Sequence, residues 1–160
     1  RSSAASDVYK RQGQNLGAKK YRRIRNGVRS GVYMALITSI VISGVMVITG
    51  RNILSLFVSG EAGQVKQVLD IAYKYLFIMA IFLWVLYLLY VYRSAIQGLG
   101  NTLIPLASGV VEFCMRVGVA LLLPKLIGED GIFYAEISAW SGAAILLIVS
   151  YVVIIRKYKE

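Results

Sequence analysis

Histidine is absent from the chain and cysteine occurs once, at Cys114. The first absence removes the commonest general base and the commonest metal ligand. A lone cysteine inside an apolar stretch builds neither a disulfide framework nor a thiolate metal site. No Gly-Lys-Ser/Thr loop for a nucleotide is present, and no acid pair sits beside a nucleophile, so nothing reads as an enzyme. Charge is scarce at 16%, and acidic residues are scarcer still, eight against eighteen Lys and Arg, for a net charge of +10. What fills the chain instead is apolar: 58% hydrophobic residues and a mean hydropathy of +0.65. That is the composition of a membrane protein. The basic residues flank apolar runs and do not form a face, which fits membrane orientation and not nucleic-acid binding.

The N-terminal arm stands apart. Ser2–Gln12, SSAASDVYKRQ, has neither the apolar run of a signal peptide nor an amphipathic Arg/Ser pattern. Residue for residue it resembles the in-frame translation of the transposase adapter used to build sequencing libraries. Residues 1–12 are therefore expected to be a non-native tail. The natural sequence would then be picked up in mid-gene near Gly13, with an N-terminal part missing.

Four stretches are long and apolar enough for a bilayer, which takes about 20 residues at about 1.5 Å each. They are Gly31–Gly50, Tyr75–Tyr92, Thr102–Pro124 and Ile137–Ile155, and only the third carries charge, Glu112 and Arg116. Backbone polar groups in hydrocarbon must be satisfied within the segment, and the apolar residues do not alternate, so helices are expected and strands are not. The reading is an all-α integral membrane protein with helices at about 28–50, 65–97, 102–125 and 131–156. The NILSLFV piece is expected to form a short interfacial helix at about 51–58. Gly98 and Gly100 suit a helix C-cap; Asn101 or Thr102 can cap the next helix, with Pro105 in its first turn. Lys125–Gly131 reads as a tight turn.

Orientation follows from Lys and Arg in the short links. Lys19, Lys20, Arg22, Arg23, Arg25, Arg29, Arg93, Arg156, Lys157 and Lys159 fall on one side. Arg51, Lys66, Lys74 and Lys125 fall on the other, mixed with Glu61, Asp70, Glu129 and Asp130. The richer side, with the N-terminal arm, the GLGNT link and the C-terminus, is expected to be cytoplasmic.

Two strings carry a family resemblance. GQNLGAKKYRRIRNGVRSG resembles the cytoplasmic link after the second helix of a lobe in MATE (multidrug and toxic compound extrusion) transporters. YRSAIQGLGNTLIPLASGVVEFCMRV is similar to the link and helix near the end of their second lobe. The resemblance implies a two-lobe, twelve-helix fold around a central cavity, of which residues 13–160 would be part of the C-terminal lobe, the ninth to twelfth helices. It implies a secondary exporter of amphipathic or cationic organic compounds driven by H⁺ or Na⁺ antiport, with no other cofactor, in the bacterial inner membrane. Its partners would be small organic substrates, membrane lipid and the missing N-terminal lobe, and no nucleic acid. Some members use a carboxylate on the tenth helix. No acid lies between Lys74 and Arg93, so the resemblance places the coupling residue in the absent N-terminal lobe. Two rival readings are a lipid-linked sugar flippase of the same superfamily, for which more deep basic residues are expected, and a stand-alone four-helix membrane scaffold.

The candidate sites are these. Glu112 and Arg116 are four apart and can pair along one helix face; the reading is a structural ion pair, with a proton or cation relay as the alternative. Tyr73, Phe77, Ala80, Trp84 and Tyr87, continued by Tyr90, Ser94 and Gln97, recur at steps of three or four. They form either a cavity wall for organic cations or packing with an interfacial aromatic belt. Gly27 and Gly31 have the spacing of a close helix approach, or mark a flexible start to the helix. The basic run Lys19–Arg29 is a topology signal or a site for anionic lipid heads. Glu136, at the outer start of the fourth helix, reads as solvated.

Overall fold

Tyr21–Ser55 forms the first long helix, α1; Ala62–Gly98 forms α2, Leu103–Ile127 forms α3 and Tyr134–Lys157 forms α4. A short 3₁₀ helix, Glu129–Phe133, joins the last two. The computed structural model describes residues 13–18, 20–60 and 62–157; the proposed tail at 1–12 lies outside them, as do Lys19, Glu61 and Lys159. Among the described residues there is no strand, and all four long helices are long and apolar enough to cross a membrane.

α1 is longer than its apolar run at both ends. It begins at Tyr21 because arginine is a good helix former, and because Ile24 and Val28, one turn apart, are buried on one face. At the other end the separate interfacial helix expected at 51–58 does not form. The helix runs through Gly50 and Arg51 to Ser55 and closes in a turn at Leu56 and Phe57. Gly50 is a contact point within it: a Cβ there would lie 2.9 Å from the Leu76 side chain. Arg51 is then held by Asp70 at 2.6 Å.

The α2–α3 turn is built as its residues imply. Gly100 adopts φ +82°, and Asn101 N–H returns to Ile96 C=O at 3.2 Å. The Asn101 side-chain oxygen accepts from Ile104 N–H at 3.1 Å, which caps α3. At 125–131 the expected tight turn is only partly present, since Lys125, Leu126 and Ile127 stay in α3. Gly128 (φ +80°) then starts the 3₁₀ segment. Gly131 packs on the chain itself: a Cβ there would meet the backbone of Pro124 at 2.6 Å.

The helices stand side by side in the order α1, α2, α4, α3. α4 fits between its neighbours because its inward face is small, with Ala139, Ala143 and Ala144 buried. The core, with Ile24, Val28, Leu89, Ile96, Leu147 and Tyr151, lies where α1, α2 and α4 meet. Much apolar surface stays open on the outside, including Ile40 at 70% and Leu106 at 68%. Patches of that kind need lipid or another protein surface.

Candidate functional site

Two ion pairs cross between helices inside the bundle. The Arg93 guanidinium, near the end of α2, donates to the Ser108 hydroxyl at 3.0 Å and to the Glu112 carboxylate on α3. Both charged side chains are about four-fifths covered, with 23% and 19% exposed. Ser108 is buried and donates in turn to Pro105 C=O at 2.7 Å. One turn further along α3, Arg116 donates to Glu136 of α4 at 2.8 Å.

The expected pair along α3 is therefore corrected: Glu112 and Arg116 share a face, but each is neutralised by a different helix. The cause is the helix order. α2 and α4 flank this part of α3 and present Arg93 and Glu136 to it, and pairing across helices compensates four charges at once. Glu136 is corrected too, since it is a half-buried partner of Arg116 and not a solvated end group. Sequence reasoning missed Arg93, which it counted among link charges. Arg93 lies about one turn from the GLGNT link and Glu112 about two and a half turns, so no symmetry about the turn gives the pair away.

The aromatic stripe on α2 divides. Tyr73 donates its hydroxyl to Val47 C=O of α1 at 2.9 Å. Ala80 is buried, and its C=O accepts from the Ser43 hydroxyl at 2.6 Å. These two belong to the α1–α2 interface. Phe77, Trp84 and Tyr90 are open, 41%, 44% and 56% exposed, while Tyr87, Ser94 and Gln97 are half-buried. The division does not follow position along the helix, since open Phe77 lies between Tyr73 and Ala80 in the chain; it follows where α1 packs, through Val47 and Ser43. Two clefts, of about 550 and 400 Å³, lie at the other end of the bundle from Tyr73, and no stripe residue lines either.

Gly31 meets only Val91, at an ordinary 3.6 Å, and Gly27 faces open space. The Gly27–Gly31 spacing is not a close helix contact; Gly50 against Leu76 is. No cluster of three or more His, Cys, Asp or Glu able to hold a metal occurs among the described residues, and Cys114 is exposed and free.

The two resemblance-bearing strings come together in space. Residues 13–17 form a helical turn, and Leu16 within it packs on the same core that holds Ile96 and Leu99 of the second string. No curated protein and no solved structure matches the chain. The MatE family model matches residues 5–122, from within the proposed tail to late in α3. With both strings, four apolar helices and a match over most of its length, the chain belongs to the MATE family of membrane transporters.

Proposed function

We propose that these four helices work as part of a secondary exporter of amphipathic or cationic organic compounds, driven by H⁺ or Na⁺ antiport through alternating access. The observation that carries this reading is a pair of open aromatics on one side of α2, Phe77 and Trp84, two turns apart, with half-buried Tyr87, Ser94 and Gln97 continuing the stripe. Aromatic faces attract organic cations, and a few polar groups among apolar ones suit drug-like molecules. The flippase reading draws less support. Its anionic cargo needs unneutralised deep cations, whereas Arg93 and Arg116 are each paired with a carboxylate.

Glu112 is not offered as the coupling acid, because its carboxylate already accepts from Arg93 in a structural tie between α2 and α3. The coupling site is proposed to lie in other helices of the transporter. The test is uptake of a fluorescent organic cation into inside-out vesicles carrying the full-length protein. Accumulation that collapses when the H⁺ and Na⁺ gradients are dissipated supports the reading. Accumulation that survives without either gradient refutes it.

A further inference from the structure

Arg93, Glu112, Arg116 and Glu136 meet where α2, α3 and α4 lie together. Arg93 uses one terminal nitrogen, Nη2, for both Ser108 and Glu112, and Arg116 uses its Nη2 for Glu136. The Nε of each guanidinium is buried and, among the described residues, has no acceptor. Glu112 stands four residues before Arg116 on the same face of α3, a spacing at which Cβ atoms are about 5–6 Å apart. Its carboxylate is therefore a side-chain rotation away from a second guanidinium that still has a donor to give.

We propose that Glu112 is a two-position switch: it holds Arg93 in the arrangement seen, and in a second arrangement it exchanges to Arg116 and releases α3 from α2. The exchange leaves no deep charge bare. Glu112 and Arg116, near the middle of α3, then neutralise each other. Arg116 keeps Glu136 as well, because a guanidinium presents five N–H donors in a fork. Glu136 lies in the first turn of α4 and is partly exposed, so water shares its charge. Arg93 alone is set free. It lies about 7.5 Å along α2 from Gly98 at the helix end, and a side chain of that length carries its charge out to the membrane surface. Besides the Gly98–Thr102 link, what then holds α2 to the α3–α4 pair is the α2–α4 seam, where α4 offers Ala143 and Ala144, and a half-exposed clasp of Lys74 with Asp130. Packed helices of this kind shift by small sliding, and an exposed ion pair holds weakly. The position of Glu112 thus sets whether α2 can move against α3 and α4. The switch is independent of what the protein exports.

Double electron–electron resonance on the whole 160-residue chain in nanodiscs tests this, with spin labels at I81C and L121C in a C114S background. Both labelled positions are exposed, one on α2 and one on α3. S108A removes a hydrogen bond from the Arg93 side alone and should raise the longer-distance component by about fivefold or more. R93M should make that component dominant. Adding R116M/E136Q to S108A takes away the second guanidinium together with its partner and should abolish the gain. A tie without exchange behaves differently: S108A then keeps the parent's distances, or lengthens them equally with and without Arg116. Either result overturns the switch, as does a parent-like distribution in R93M. Should R93M lose helicity by circular dichroism, the S108A comparison decides alone.

Discussion

Arg93 of α2 and Glu112 of α3 are paired across two helices that otherwise touch little along their lengths. α4 stands between most of α2 and α3, so this pair, with Ser108, is a principal direct tie between them. A charge inside an apolar bundle is expensive unless it is compensated. The tie therefore fixes where α3 sits relative to α2.

It follows that Arg93→Met or Glu112→Leu alone should lower stability by about 3 kcal/mol, the low end for a broken buried pair because a fifth of each side chain stays exposed. The double variant Arg93→Met/Glu112→Leu should be much less destabilised than the sum. Glu112→Leu with Arg116→Met, which do not contact each other as an ion pair, should show far less coupling. Thermal unfolding in detergent measures both cycles. A larger coupling for Glu112 with Arg116 would restore the pairing along α3.

Glycine contacts give a second contrast. A methyl at Gly131 meets the backbone of Leu123 and Pro124, which cannot yield, whereas a methyl at Gly50 meets the end of the Leu76 side chain. Gly131→Ala should be destabilised by about 2–3 kcal/mol and Gly50→Ala by about 1 kcal/mol, within the usual range for overpacking. Leu76→Ala added to Gly50→Ala should relieve the clash. Melting temperatures of the three variants decide it, and equal losses for the two glycines would contradict the packing described.

The four spans were legible in the sequence because bilayer thickness sets their length and long apolar runs fill it, three of them with no charge at all. Gly100 and Asn101 were legible because turn chemistry is local. Helix ends were less so: Tyr21–Arg29 reads as a polar link, yet Ile24 and Val28 bury one face of it. Ion-pair partners were not legible at all. Spacing along α3 offers Arg116 to Glu112, but the true partners come from α2 and α4, and the order of helices in space is not written in any single one of them. The stripe on α2 was visible as a period, but not its division, which depends on where α1 happens to cover it.

Orientation yields a third prediction, resting on the Lys/Arg asymmetry. In a Cys114→Ser background, a cysteine at Asn101 should resist a membrane-impermeant thiol reagent added to intact cells, and one at Gly128 should react. Both positions lie outside the long helices, so access is set by the side of the membrane. Labelling at 101 with protection at 128 would invert the topology.

The last prediction separates the two halves of the stripe. Trp84 is open, while Tyr73 spends its hydroxyl on Val47 C=O. If the open half is a cavity wall, Trp84→Ala should weaken binding of a fluorescent organic cation to the full-length transporter by about 2- to 30-fold, the range of one cation–aromatic contact. Tyr87→Ala, half-buried on the same side, should weaken it less. Tyr73→Phe should leave affinity unchanged and instead lower stability by about 1 kcal/mol, the net worth of one hydrogen bond. Leu83→Ala and Leu88→Ala, off the stripe, should bind like the parent. Titrating the dye against each purified variant, with a melting curve for each, reads both effects. Were Trp84→Ala to bind as tightly as Leu83→Ala, the open aromatics would be a lipid-facing surface and the cavity would lie elsewhere.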